Sequence, residues 1–453
     1  MNHLSYTRGP QDKPLLAMTV GAAFDATVER FAQREALVVR HQSLRYTWAE
    51  LAEVVNGVAR AFLALGLRPG DRLGIWAPNC AQWCITQFAS AKVGAVLVNI
   101  NPAYRVNELE YALKQSGCRW LVCADAFKTS DYHGMLADLL PELGQGRPGE
   151  LSSDRLPELR GVISLSDTAP AGFLRWSQLE PLGRGIAAAE LAERQALLQF
   201  DEPINIQYTS GTTGFPKGAT LSHYNILNNG LMVGDSLGLT EHDRLVIPVP
   251  LYHCFGMVMG NLGCLTHGST MIYPAPSFEP EATLAAVAQE KATALYGVPT
   301  MFIAELDHPT RRDFDLSSLR TGIMAGATCP IEVMRRVIDE MHMAEVQIAY
   351  GMTETSPVSL QTGPEDDLET RVTTVGRTQP HLESKIIDAD GRIVPRGTIG
   401  ELCTRGYSVM LGYWNNPQAT SEAISPARWM LTGDLAVMDE AGNVRIVGRS
   451  KDM

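Results

Sequence analysis

Apolar and polar positions alternate along this chain with two periods, one of about 3.6 residues and one of two, and the two take turns. From Thr47 the run Thr47-Trp48-Ala49-Glu50 has the form of a capping box, and Leu51, Val54, Val55, Val58 and Phe62 follow at helical spacing until Gly66. The turn Pro69-Gly70-Asp71 leads into an apolar strand over 73–77, and a helix over 81–92 gives way to a buried strand over 95–100. A third helix is expected from a cap at Asn107 to about Gly117, with another strand over 120–124. Residues 144–160, rich in Gly, Pro, Ser and charge, read as a surface connection, and 187–199 as a helix. The same texture resumes later, with helices over 280–290 and 330–341 and strands over 294–296, 322–325 and 346–350. Strands that alternate with helices predict an α/β fold of mostly parallel sheets covered by helices. Beyond about Ser359 short strands (383–388, 401–405, 444–447) and the turn pairs Asp390-Gly391 and Gly442-Asn443 predict a small β-barrel-like or antiparallel unit. The expected organisation is one large domain over 1–448, made of two α/β subdomains (about 1–190 and 191–358) and a β-rich subdomain (359–448).

Composition narrows the class of protein. A length of 453 residues with 45% hydrophobic residues fills two or three subdomains. Thirty-eight basic against fifty acidic residues give a net charge of -12, which disfavours nucleic acid and anionic membrane as partners, so a polyanionic ligand requires a local site. The eight cysteines lack zinc-site spacing and sit among apolar neighbours, as buried reduced thiols do. No apolar run reaches about 18 residues and the N-terminus lacks a signal core, so the expected location is cytoplasmic, with no transmembrane segment.

The densest chemistry is the run Tyr208 to Ala219, YTSGTTGFPKGA. It holds Gly211, Gly214 and Gly218, the hydroxyls of Thr209, Ser210, Thr212 and Thr213, and Lys217 behind the stiff Pro216. Glycines let successive backbone N–H groups converge on an anion, hydroxyls add donors, and the lysine adds a point charge. An ammonium about 4 Å from a phosphate oxygen is worth roughly 4 kcal/mol at an effective dielectric near 20, before desolvation. A Gly/Thr surface turn is the plain alternative, but the apolar alternation Ile204, Ile206, Tyr208 puts the run at a strand end, where α/β proteins bind ligands. It is not a Walker A loop, because Lys217 is followed by Gly218 rather than Ser or Thr.

Four further motifs follow in order: YHCFGM (252–257), YGMTE (350–354), TGD (432–434) and GRSKD (448–452). Together the five resemble the signatures of the acyl-adenylate-forming (AMP-binding) superfamily, which holds acyl-CoA synthetases, peptide-synthetase adenylation domains and firefly luciferase. The likeness spans nearly the whole chain, and among subfamilies is greatest to medium-chain fatty acyl-CoA ligases. It implies ATP, Mg²⁺ and coenzyme A as cofactors or co-substrates and a small-molecule carboxylate as partner. An aryl-CoA ligase, a stand-alone adenylation domain, or a noncatalytic nucleotide- or acyl-binding module would share these motifs, and a homodimer is left open.

The resemblance also assigns roles. Thr209 to Gly214 and Lys217 would grip the phosphates. Tyr350 would pack on adenine with Gly351, Met352, Gly326 and Ala327 nearby, Thr353 would contact phosphate, and Glu354 would hold Mg²⁺, in keeping with that ion's preference for hard oxygens. Asp434 would accept from the two ribose hydroxyls and Arg449 would reach the ribose or phosphate. His253, with Phe255, Gly256 and Met257, would stand at the carboxylate and line an apolar acyl pocket. Each has a plainer reading: Thr-Glu as a helix cap, Asp434 as a turn aspartate, Arg449 as a solvated side chain, His253 as a core histidine. Finally, the family carries a catalytic lysine on a small mobile domain beyond a hinge, and Lys451 matches the hinge. With the sequence ending at Met453, the expectation is a chain cut there that binds ATP or acyl-adenylate but forms adenylate poorly and makes little thioester.

Overall fold

The structure, a computed structural model, describes residues 3–209 and 215–450; Ser210, Gly211, Thr212, Thr213 and Gly214 of the glycine-rich run, and Lys451 of the last motif, lie outside the described residues. Three main sheets carry the described part of the fold. The first is eight-stranded, in the order Leu174–Arg175, Gly161–Ser164, Cys118–Cys123, Arg72–Trp76, Val96–Asn99, Pro203–Thr209, Lys217–Ser222, Gly412–Tyr413. Its pairings are parallel as far as Pro203–Thr209 and antiparallel beyond. The second is nine-stranded: Arg377–Thr378, Val358–Gln361, Glu345–Gly351, Thr321–Ala325, Ala294–Gly297, Arg244–Val246, Thr270–Tyr273, Glu35–Val39, Leu44–Thr47. From Glu345–Gly351 to Glu35–Val39 it is parallel, with antiparallel pairs at both margins. The third is five-stranded and antiparallel: Tyr6–Arg8, Leu382–Ile387, Gly400–Gly406, Met430–Met438, Val444–Arg449.

Helices cover the parallel strands on both faces, so consecutive strand residues such as Leu73, Ile75, Trp76, Val96, Leu97 and Val98 are all buried, the pattern a parallel sheet requires. The helix Trp48–Ala64 starts on the capping box read from sequence: the Thr47 N–H donates to Glu50 Oε2 at 2.8 Å and the Glu50 N–H to Thr47 Oγ1 at 3.2 Å. All eight cysteines are free and buried.

Two expectations change and a third is refined. Sheet membership does not follow linear boundaries near 190 and 358: Glu35–Val39 and Leu44–Thr47 complete the second sheet, Pro203–Thr209 and Lys217–Ser222 belong to the first, and Tyr6–Arg8 edges the third. Periodicity identifies a strand but carries no record of its partner, and an open sheet edge recruits whichever apolar strand the connections allow. The third helix, Val106–Ser116, starts at Arg105 rather than Asn107, because Glu108 accepts from the Arg105 N–H at 3.1 Å and so fixes the first turn earlier. Residues 144–160 are irregular but held down, with Leu151, Leu156 and Leu159 buried and the Leu151 N–H donating to Arg160 O at 2.9 Å.

One buried group sets a pH dependence. Glu305, on the helix Pro299–Leu306, is 1% exposed and neither carboxyl oxygen has a partner among the described residues. Burial raises its pKa well above the usual 4.5, so the folded chain holds a proton that the unfolded chain releases. Its contribution to stability is therefore fully present below about pH 4.5 and is lost as pH rises toward the folded value. Glu305→Gln is expected to flatten this slope, gaining on the wild type by up to ~1.4 kcal/mol per pH unit in that window. Denaturant melts between pH 5 and 8 check it; parallel wild-type and variant curves count against it.

Candidate active site

Four segments leave the carboxyl ends of parallel strands, the edge at which open α/β sheets bind ligands. Arg244–Val246 runs on towards His253, Thr321–Ala325 to Gly326 and Ala327, Glu345–Gly351 to Glu354, and Pro203–Thr209 into the glycine-rich connection. A cavity of about 630 Å³ lies between the second and third sheets, lined by Gly326, Ala327, Tyr350 and Gly351 from the one and Asp434 and Arg449 from the other. Gly351 is required by a close approach: a Cβ there would stand 1.7 Å from the Pro357 carbonyl oxygen. Gly326 holds φ at +86°, the left-handed region that favours glycine.

Strand register brings the ribose candidates together. Asp434 and Arg449 are direct cross-strand partners, and Arg449 Nε lies 3.3 Å from Asp434 Oδ1. The Tyr350 hydroxyl donates to Asp434 Oδ2 at 2.5 Å. Burial and then the Asp434 carboxylate raise the Tyr350 pKa, so the phenol stays protonated and its ring lines the cavity.

His253, Phe255 and Met259 form a second, more apolar wall of the same cavity. His253 opens onto the cavity but protein crowds its other sides, and this desolvation lowers its pKa. The Phe255 N–H donates to Nδ1 at 3.1 Å, which assigns the proton to Nε2. Phe255–Leu262 is a π-helical turn, whose wide winding puts Phe255 and Met259 on the cavity side. Gly256 and Met257 do not line the cavity as expected. A Cβ on Gly256 would stand 2.4 Å from Pro250 O, and the buried Met257 sulfur accepts from Asn99 Nδ2 at 3.1 Å. Met352 likewise packs against the main core. The resemblance puts consecutive residues at the pocket, whereas a helical segment turns successive side chains to different faces.

The phosphate candidates form a cluster of their own, outside that lining. Thr209 and Lys217 are cross-strand partners at the mouth of a hairpin. Glu354, on the short turn Thr353–Thr355, is 6% exposed; its Oε1 accepts from the Tyr413 hydroxyl at 2.8 Å and lies 3.3 Å from Thr209 Oγ1. Burial, and next Glu354, raise the Tyr413 pKa, which keeps it a donor. Lys217 Nζ sits 4.8 Å from the centre of the Tyr413 ring. Thr353 stands beside Cys254, whose thiol burial pushes up to about 12 and which donates to Gln207 Oε1 at 3.1 Å. Among the described residues no cluster of three His, Cys, Asp or Glu side chains could hold a metal alone. A single oriented carboxylate does suit Mg²⁺, which takes one or two carboxylates, waters and substrate phosphates.

Sequence reasoning missed Met259 and Tyr413. Met259 lies four residues from Phe255 and would have been found had the segment been read as helical. Tyr413 offered no local signal: it reaches Glu354 only because Gly412–Tyr413 pairs with Lys217–Ser222.

A cavity at the carboxyl ends of parallel strands, with a hydroxyl, carboxylate and lysine cluster outside its lining, is an arrangement suited to an enzyme that handles a phosphorylated ligand. A family model described as AMP-binding enzyme matches residues 24–414. The medium-chain acyl-CoA ligase ACSF2, mitochondrial, of Rattus norvegicus is 46% identical over 455 residues, covering 99% of this chain and 74% of that protein. The chain belongs to the AMP-binding enzyme family. Among solved structures, ATP-bound MatB from Rhodopseudomonas palustris has a TM-score of 0.78 at 27% identity, covering 96% of this chain and 80% of that one. The anthranilate CoA ligase AuaEII in complex with anthranoyl-AMP has a TM-score of 0.84 at 24% identity, covering 98% and 80%, and shares the fold. No helix of the described residues is long and apolar enough to cross a membrane.

Proposed function

We propose that this chain is the nucleotide- and acyl-binding body of an ATP-dependent, AMP-forming acyl-CoA ligase acting on a medium-chain fatty carboxylate. The observation that carries the reading is one cavity shared by Tyr350, Asp434 and Arg449 with the apolar wall of His253, Phe255 and Met259. Adenine packs between Tyr350 and the Gly326-Ala327 backbone, Asp434 accepts from the ribose hydroxyls, and Arg449 steadies Asp434. The carboxylate oxygen attacks the α-phosphorus, a new acyl–O–P bond forms, and the α–β bridging bond breaks to release pyrophosphate. No general base is needed, since the attacking group is already an anion; what is needed is positioning and relief of anion–anion repulsion. Lys217 and Thr353 supply positive charge and a hydroxyl donor to phosphate, and the neutral His253 orients the carboxylate through Nε2–H. Mg²⁺ held by Glu354 would neutralise phosphate charge there. The CoA thiol gives its proton to solvent, the thiolate sulfur attacks the acyl carbon to form the thioester, the acyl–oxygen bond breaks and AMP leaves with that oxygen.

The test is a titration of this chain with non-hydrolysable acyl-adenylate mimics of graded acyl length. Each methylene that enters the apolar wall is worth about 0.8 kcal/mol, roughly fourfold in affinity, so affinity should climb steeply through short chains and stop at medium length. Affinity independent of acyl length would sink the reading. A cytoplasmic location and a homodimer complete the proposal; the rat relative is named as mitochondrial, and cell fractionation and light scattering decide both points.

A further inference from the structure

We propose that Tyr413 is a positioning residue that aims the Glu354 carboxylate at a divalent cation and holds Lys217 apart from it. The proposal rests on the reading of Glu354 as the cation's protein ligand. The segment around Tyr413 is laced to the Glu354 turn at three points: Ser356 Oγ donates to Ser408 O at 2.6 Å, the Met410 N–H to Glu354 O at 2.9 Å, and the Tyr413 hydroxyl to Glu354 Oε1 at 2.8 Å. The phenol is itself fixed in place. Ala219 and Tyr413 are strand partners, the Trp414 N–H donates to Gly218 O at 2.8 Å, and the Tyr413 N–H donates to Thr420 Oγ1 at 2.9 Å. With Tyr413 8% exposed, little freedom remains to the hydroxyl.

Two consequences follow from that placement. Oε1 is occupied by Tyr413 and faces Thr209, whereas Oε2 has no hydrogen-bond partner among the described residues, so it is the oxygen presented to a cation. The same ring carries the Lys217 ammonium at 4.8 Å, a cation–π contact. Lys217 is the cross-strand partner of Thr209, whose hydroxyl reaches Glu354, so an ammonium released from the ring could turn towards that carboxylate and fill the cation's place. One side chain thus orients the acid with its hydroxyl and parks the base on its face.

The test is calorimetric titration of the 453-residue chain with ATP, in Mg²⁺ and separately in EDTA, which reads the factor by which Mg²⁺ strengthens ATP binding. Groups that orient a metal ligand are typically worth 10–100-fold in metal affinity. Tyr413→Phe keeps the ring and loses the hydroxyl; it is expected to cut the Mg²⁺ factor roughly tenfold and to leave ATP affinity in EDTA within about twofold. Tyr413→Leu loses both and is expected to weaken ATP binding in EDTA as well, because the Lys217 ammonium is released towards Glu354. An unchanged Mg²⁺ factor in Tyr413→Phe, or equal losses with and without Mg²⁺, overturns the proposal. If wild type and Glu354→Gln share one Mg²⁺ factor, the reading of Glu354 itself has failed, a separate outcome that removes the proposal's footing. Should Tyr413→Phe not fold, Thr420→Val removes the acceptor of the Tyr413 backbone N–H and so loosens the strand that seats the phenol while keeping its hydroxyl; a Mg²⁺ factor reduced at least about threefold supports the proposal and an unchanged one overturns it.

Discussion

Asp434→Ala is expected to weaken binding of an acyl-adenylate mimic by roughly 100-fold, with the loss confined to the ribose. A hydrogen bond to a charged acceptor contributes ~1.5–3 kcal/mol net, so two ribose hydroxyls on one carboxylate give about 3 kcal/mol, and each 1.4 kcal/mol is tenfold. The geometry makes this carboxylate hard to replace. Its oxygens are already aligned by Tyr350 at 2.5 Å and Arg449 at 3.3 Å, from different strands, so the acceptor is oriented before nucleotide arrives. Alanine removes the acceptor and also leaves the Tyr350 hydroxyl, a buried donor, without its partner. Asp434→Asn keeps one acceptor oxygen and should lie between. The discriminating measurement is a mimic lacking both ribose hydroxyls: wild type should bind it about as weakly as Asp434→Ala binds the full mimic, and the variant should not distinguish the two. A variant that still prefers the hydroxylated form by a large factor removes Asp434 from the ribose.

What sequence made legible divides along a physical line. Features fixed by a few neighbouring residues were readable: the Thr47–Glu50 capping box, the glycine stop at Gly117, and strand ends followed by polar motifs. They depend on local hydrogen bonds and side-chain period, and both are written in consecutive residues. Features fixed by pairing were not. The N-terminal strand Tyr6–Arg8 lies against Leu382–Ile387, and Gly412–Tyr413 lies against Lys217–Ser222, across separations that no periodicity records. The site inherits the same division. Asp434, Arg449, Tyr350 and Glu354 were named from motifs, yet that Asp434 and Arg449 face each other is a matter of register, and that Tyr413 completes Glu354 is a matter of sheet order. The apolar wall fell between: Phe255 lines the cavity, whereas Gly256 and Met257 turn away from it and Met259 stands in their place.

Lys217→Ala is expected to reduce affinity for ATP by about 30-fold while changing that for adenosine less than twofold. The separation follows from position. Lys217 stands at the hairpin beside Thr209 and does not line the cavity that holds Tyr350 and Asp434, so a nucleoside without phosphates has no reason to register its loss. The magnitude follows from opposing terms. An ammonium about 4 Å from a phosphate oxygen gains roughly 4 kcal/mol at an effective dielectric near 20. Against this stand desolvation and the cation–π contact with Tyr413 that the ammonium must leave, ~0.5–1 kcal/mol. A net gain of ~2 kcal/mol corresponds to about 30-fold. Screening adds a second signature: the wild-type advantage for ATP over adenosine should shrink as salt is raised from low to physiological strength, and shrink less in the alanine variant, which has lost one of the charges that salt screens. Parallel titrations with ATP, AMP and adenosine at two ionic strengths read both effects. Equal losses for ATP and adenosine would detach Lys217 from the phosphates and leave its position on the Tyr413 ring as a packing contact alone.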